Sequence, residues 1–347
     1  MPADEPTRTR PDACPGAIVL HQAADGGLAR IRVPGGTLTN AQFAAIRAAS
    51  ADLGDGGLEL TSRANVQIRG LAPGAQVELA DRLWRAGLLP SFTHERVRNV
   101  IASPLGDDQH LVNELDQAIC AMPALADLPG RFLVTVDSGA GDVSGLGGDI
   151  GLQEDALLLA GQDTGLRVSD PVAAVVRAAE EFQAIRGSAW RMSEIPDGVP
   201  RIVSLLGTPG AERLTVRPPV ALPPGPVGDV TVVGAPLGRL TRQQAQALDS
   251  AWVRLTPWRS VVVPGQPDLS GSGLVTDPDS PWHDVTACTG LPGCAKSLTD
   301  VRADAAEWVA TRTSSGPVHW SGCARRCGRP AGAVDMVATA DGYRRSE

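Results

Sequence analysis

Four of the six cysteines stand near the C-terminal end as two spaced pairs, Cys288-Thr-Gly-Leu-Pro-Gly-Cys294 and Cys323-Ala-Arg-Arg-Cys327. Two close pairs about thirty residues apart can converge on one inorganic centre, and four thiolates are what a cubane iron–sulfur cluster needs. Structural zinc competes, although each of its cysteine pairs usually spans two to four intervening residues, often two. Gaps of five and then three follow that habit poorly. Disulfides are the third reading; the N-terminal stretch does not resemble an export signal, and a cytoplasmic location, where thiols stay reduced, is expected. Cys14 and Cys120 lack partners at ligand spacing and read as ordinary thiols.

The arginines form the second pattern. Net charge is −8 with a pI near 5.2, which argues against nucleic acid as the main partner. Lys296 is the sole lysine, so every other cation is an arginine. Codon usage is the plain explanation; a planar fork suited to carboxylates is the functional one. Side chains alternate faces along a strand, so Leu28-Ala-Arg-Ile-Arg-Val directs Arg30 and Arg32 away from Ile31 and Val33. By the same rule Thr61, Arg63, Asn65, Gln67 and Arg69 share a face, opposite Ser62, Ala64, Val66 and Ile68. Either strand alone reads as a solvated sheet face. Side by side, the two would form a cationic floor for a polycarboxylate held by charge-assisted contacts. Further arginines follow at Arg96, Arg98 and Arg131, and Arg325, Arg326 and Arg329 lie in or beside the second cysteine pair, where cations raise a cluster's potential or hold an anion above it.

The elements that must position these residues repeat. Val33-Pro-Gly-Gly-Thr-Leu-Thr-Asn-Ala-Gln-Phe returns as Ala235-Pro-Leu-Gly-Arg-Leu-Thr-Arg-Gln-Gln-Ala, and Leu60-Thr-Ser-Arg-Ala-Asn-Val-Gln-Ile-Arg-Gly as Leu255-Thr-Pro-Trp-Arg-Ser-Val-Val-Val-Pro-Gly. Each copy reads as strand, tight turn, helix and strand, with a Thr-x-x-Gln capping box at Thr39/Gln42 and at Thr241/Gln244. A strand-like run follows Leu128-Pro-Gly, and a helix is expected over 171–186 with Val172, Val175, Val176 and Phe182 on its apolar stripe. The same plan returns after Gly273, carrying the cysteines. The Pro/Gly-rich stretch Ala221–Gly228 is the expected linker between halves. A chain of 36.0 kDa with 43% hydrophobic residues can bury more than one core, and no apolar run reaches membrane-spanning length.

In order and spacing, Arg30-Ile-Arg-Val-Pro-Gly-Gly, Leu60-Thr-Ser-Arg-Ala-Asn-Val-Gln, Arg98-Asn-Val, Cys288-x5-Cys294 and His319-Trp-Ser-Gly-Cys323-x3-Cys327 resemble the siroheme-type nitrite and sulfite reductases. More closely they resemble a branch of that family that acts in aerobic cobalamin synthesis. The resemblance implies an α+β, duplicated architecture: two ferredoxin-like half-domains and two larger α/β domains around a pseudo-twofold axis. It places a disordered lead at 1–13, half-domains at 14–75 and 200–272, an α/β domain without cluster ligands at 76–190, and a shortened one with the cluster at 273–347. It implies a 4Fe–4S cluster on Cys288, Cys294, Cys323 and Cys327, with Arg32, Arg63, Arg98 and Arg131 as substrate-binding residues. The activity implied is hydroxylation of a tetrapyrrole, precorrin-3A, at C20 with lactone formation, using dioxygen and an external electron donor. A mononuclear non-haem iron is associated with that branch, and its ligands have no counterpart motif here.

Two departures separate the chain from the reductases. The strand holding Arg131 has Leu133 where they carry a second cation, and Cys323-Ala-Arg-Arg-Cys327 replaces their Cys-Pro-Asn-x-Cys. The lost cation suits a protein that keeps the macrocycle pocket but treats the tetrapyrrole as substrate. A siroheme-dependent sulfite or nitrite reductase is the alternative, and a non-catalytic iron–sulfur or zinc module the reading from another class. His319 is expected to be structural, with ligation or proton relay as its functional reading.

Overall fold

The structure, a computed structural model, describes residues 12–312, 316–330 and 332–346. Residues 1–11 of the lead expected to be disordered lie outside that range.

The chain is built as one plan written twice. In the first copy β1 (His21–Ala23), β2 (Gly26–Ile31), β3 (Thr37–Thr39), helix α1 (Asn40–Leu53), β4 (Leu58–Leu60), β5 (Val66–Leu71) and α2 (Ala75–Arg85) follow in order. In the second, β11 (Gly225–Val227), β12 (Val230–Gly234), β13 (Arg239–Leu240), α6 (Arg242–Ala247), β14 (Trp252–Leu255) and β15 (Ser260–Pro264) repeat it. The correspondence holds to the residue. Arg30 faces Gln67 and Ile31 faces Val66 across β2 and β5; Val232 faces Val262 and Val233 faces Val261 across β12 and β15.

The turns repeat as closely. Ala64 and Arg259 both take positive φ, at 53° and 59°. Thr61 Oγ1 accepts from the amides of Arg63 and Asn65, as Thr256 Oγ1 does from those of Trp258 and Ser260. Arg63 therefore belongs to a tight turn, not to the strand in which the sequence pattern put it. The strand begins only at Val66.

The halves also exchange strands. The first sheet runs β1-β2-β5-β4-β13 and the second β11-β12-β15-β14-β3, so each copy's short strand completes the other's sheet. Gly36 makes this crossing possible: at φ 75° it passes so close to Leu255 that a Cβ would lie 2.2 Å from that carbonyl oxygen. A single core follows, in which Leu38, Phe43 and Ile68 pack with Leu240, Val253 and Val261. The expected capping boxes form at both Thr39 and Thr241. Thr39→Ala is predicted to cost about 1 kcal/mol of stability, read as a lower urea midpoint at unchanged slope.

The first α/β domain has β6 (Val100–Ala102), α3 (Gln109–Ala121), β7 (Val134–Asp137), β8 (Ile150–Gln153), β9 (Ala156–Leu159) and β10 (Gln162–Arg167), then α4 (Pro171–Ile185) and α5 (Gly198–Leu206). Asp170 caps α4, and Val175 and Phe182 of the expected stripe are buried, with Val172 and Val176 packed at the edge. Ile202 of α5 packs into the same core. The second α/β domain keeps β16 (Val285–Ala287), α7 (Val301–Thr311), β17 (Val318–Ser321), β18 (Val334–Thr339) and β19 (Gly342–Ser346). Its first three strands are parallel and the fourth antiparallel, matching β6-β7-β8-β9. Trp320 packs its ring on Trp308 of α7 and on Tyr343, at 5.7 and 4.5 Å between centroids. Among the described residues no helix is long and apolar enough to cross a membrane.

Candidate functional site

β2 and β5, separated in the chain by β3, α1 and β4, pair antiparallel, so the two arginine-bearing segments do share one sheet face. Arg30 donates to Gln67 Oε1 from Nε at 2.9 Å and from Nη2 at 2.5 Å. Arg32 is buried; its Nε and Nη2 donate to the carbonyl of Arg96, and Nη2 also to that of Pro15. Its Nη1 is buried with no partner. Arg63 reaches from its turn to the carbonyls of Gly130 and Arg131, at 3.1 and 2.8 Å. Among the described residues none of these three makes an ion pair with a carboxylate; every acceptor is neutral.

Burial in each other's company makes these cations uncomfortable. Desolvation, then the charge of Arg30, pushes Arg32 down to about 9. Desolvation, then Arg191, pushes Arg63 down to about 10, and desolvation lowers Arg30 as well. Such a group favours an incoming anion, because each carboxylate would relieve both terms.

The other two expected arginines differ. Arg131 is exposed, its guanidinium 5.2 Å from the Trp190 ring centroid. Arg98 lines one cleft of about 290 Å³ with Arg32, but it already grips both oxygens of Asp116 at 2.7 Å and the carbonyl of Leu88 at 3.1 Å. It acts here as a strut between α3 and the segment after α2. Arg30 and Arg191 were not singled out as site residues. Arg30 was legible from its strand face, whereas Arg191 lies far along the chain with no motif around it.

Asn65 and Asn99 hold the arginine site together. The Asn65 carbonyl accepts from the Val33 amide, and its amide donates to Asn99, which in turn reaches the carbonyls of Gly130 and Phe132. Glu95 anchors the strand-free segment after Cys14, accepting the amides of Ala17, Ile18 and Val19. Cys14 and Cys120 have thiols pushed up, first by burial and then by Asp12 and Asp116 respectively, Cys120 to about 11. Neither is disposed to ionise.

All six cysteines are free, so the disulfide reading falls. Cys288 follows β16 and Cys323 follows β17, at the carboxyl ends of adjacent parallel strands, where loops gather. Burial, then the charges of Cys288, Cys323 and Cys294, raises the Cys327 thiol, which places it within electrostatic reach of the other three. Cys288 Sγ accepts the Gly322 amide at 3.2 Å. Among the described residues no three Cys, His, Asp or Glu stand close enough together to hold a metal ion. Four thiols on neighbouring loops are nevertheless the donor chemistry that a cubane takes. The donor set fits a 4Fe–4S cluster.

His319 is fully buried, with Nδ1 2.8 Å from Thr286 Oγ1 and Nε2 3.2 Å from the Cys327 carbonyl; desolvation pushes it down to about 4. It is a neutral brace for the second cysteine loop. Arg326 and Arg329 both lean on the buried Asp335.

A chain of hydrogen bonds and one longer ion pair links the arginines to the first cysteine loop. Gln67 passes from Arg30 to Glu59, Glu59 binds Arg302 at 2.5 Å, and Glu59 lies 3.9 Å from Arg69. Arg69 grips Asp25 with two contacts of 2.8 Å and donates to the carbonyl of Gly293, the residue before Cys294.

A doubled, strand-exchanged sheet pair with four cysteines on one α/β domain is the architecture set against known proteins. Residues 21–85 match the nitrite/sulfite reductase ferredoxin-like half domain. The solved structure of the Mycobacterium tuberculosis NirA protein superposes with a TM-score of 0.72 at 20% identity, covering 92% of this chain and 73% of that one. The chain has the nitrite/sulfite reductase fold. Among curated proteins with that kinship, a precorrin-3B synthase of Sinorhizobium sp is 26% identical over 380 residues, covering 96% of this chain and 82% of the relative. A ferredoxin–nitrite reductase of Synechococcus elongatus is 24% identical over 379 residues, covering 87% and 74%. Within the nitrite/sulfite reductase fold the chain thus resembles both a precorrin-3B synthase and a ferredoxin–nitrite reductase.

Proposed function

We propose that the protein is a precorrin-3B synthase-type monooxygenase, which adds one oxygen atom of dioxygen to precorrin-3A at C20 while the ring A acetate closes a lactone. The observation that carries this reading is the trio of buried Arg32 and half-buried Arg30 and Arg63, side by side with only neutral acceptors. A peripheral crown of carboxylates is the ligand chemistry that such a trio recognises. Arg32 would offer its unpartnered Nη1, while Arg63 and Arg131 close the rim toward the first α/β domain. A cluster on Cys288, Cys294, Cys323 and Cys327 would supply single electrons from an external donor. The chain's own part is to hold the macrocycle by its acids and to exclude water beneath it.

Leu133 favours this reading over a reductase. The position expected to carry a second cation is buried with Ile101, Val143 and Trp258, so it presents no charge to a small inorganic anion. Reduced protein incubated with precorrin-3A under labelled dioxygen is expected to yield a product heavier by one labelled oxygen, and no product under argon. Turnover without oxygen, or an intense siroheme band that survives desalting together with sulfite or nitrite reduction, would replace the monooxygenase with the reductase.

A further inference from the structure

The register of the duplication assigns every position of the arginine site a counterpart in the second copy. Arg30, Arg32 and Gln67 correspond to Val232, Gly234 and Val262, as the paired registers of β2/β5 and β12/β15 require. Arg63 corresponds to Trp258 through the shared turn. Arg98 corresponds to His283, because the amide after each equivalent strand junction, that of Val134 and that of Val318, donates to Asn99 and to Asp284 respectively. The second copy has thus exchanged the cations for apolar and aromatic groups, yet a cleft remains there.

That cleft has a volume of about 340 Å³ between the second half-domain and the second α/β domain, with Leu222, Pro257, Trp258, Val275, Trp282 and Pro317 in its wall. Its size sits at the lower end for drug-sized ligands, roughly 300–1,000 Å³. Two indoles offer faces for a flat ring. One cation, Arg259, is available. Its Nη2 donates to the Gly328 carbonyl at 3.3 Å, and among the described residues no carboxylate lies within ion-pair distance of it. The second arginine in the wall, Arg329, leans on Asp335, and His283 lies 3.5 Å from Asp284.

We propose that this cleft is a second binding site, for a small planar aromatic molecule bearing a single carboxylate, stacked on Trp282 with its acid on Arg259. The cleft is distinct in chemistry from the arginine site, although it opens at Ser62, next to Arg63. Burial lowers the Arg259 cation, as it does the arginines of the first copy, and an acid of opposite charge would relieve it.

The test is titration of the purified full-length protein with 2-naphthoate, followed by tryptophan fluorescence and calorimetry. Saturable one-to-one binding is expected, weakened at least tenfold by Arg259→Gln and at least tenfold for the uncharged 2-naphthamide. Arg63→Gln is expected to leave it unchanged. Absence of saturation overturns the site, as does an Arg259→Gln protein that binds like wild type. Equal weakening by Arg63→Gln also overturns it, because the ligand would then belong to the arginine site. If Arg259→Gln fails to fold, Trp282→Ala takes its place, with the same tenfold loss expected and wild-type affinity counting against the proposal. None of these readouts involves a tetrapyrrole, dioxygen or electron transfer, so the outcome stands apart from that of the proposed monooxygenase.

Discussion

Cys294→Ser is expected to strip the protein of its iron and acid-labile sulfide and of the broad absorbance near 400 nm that a cubane gives. Cys294 sits in a loop pinned from outside: Arg69, locked to Asp25, donates to the Gly293 carbonyl, and the Cys294 amide itself donates to Gly290. Serine would preserve this backbone and remove only the soft donor that iron prefers. The variant should therefore fold, and colour loss would report ligation alone. Retention of full iron and sulfide would remove Cys294 from the ligand set; zinc in place of iron and sulfide in anaerobically purified wild type would end the cluster reading altogether.

The second large effect concerns Arg63 and Arg32, whose replacement should separate binding from stability. Arg63→Ala is expected to weaken tetrapyrrole binding by about 1.5–3 kcal/mol, the worth of a charge-assisted hydrogen bond. Arg32→Met should weaken it as well, yet stabilise the fold in the absence of ligand. The sign follows from the depressed pKa of Arg32. Below about 9 the guanidinium is charged in both folded and unfolded chains, so the folded state bears the burial penalty in full. The penalty fades as pH climbs above about 9, because the folded state then releases its proton first. Chemical denaturation at pH 7 reads the gain, and a titration with precorrin-3A reads the loss. A destabilised Arg32→Met, or wild-type affinity in Arg63→Ala, would mean that these side chains serve packing and not an anion.

Much of this was legible in the residues because the signals are local or repeated. A Thr-x-x-Gln box needs only its own first turn, and both boxes formed at Thr39 and Thr241. Alternation put Arg30 with Gln67 on one face, and the pairing of β2 with β5 turned that into a contact. Arg63 was misassigned to a strand for an equally physical reason. Thr61-Ser-Arg-Ala-Asn alternates acceptably, and nothing in the residue types announces that Ala64 takes a left-handed conformation. The carboxylate of Asp116, eighteen positions from the cation it occupies at Arg98, was equally invisible.

By itself the chain's sequence determined the inventory: four thiols in two pairs, arginines in place of lysines, and a plan written twice. Those are properties of residue type and order, which survive without coordinates. Only tertiary structure decided which cations remain unneutralised, because that depends on distance to acids remote in the chain and on exclusion of water. It also decided that the halves trade β3 and β13, so that one core serves both and the arginine face is fastened to the cysteine loop through Glu59 and Arg69. Strand exchange is a global choice between partners of similar local sequence, settled by which packing buries more apolar surface at once.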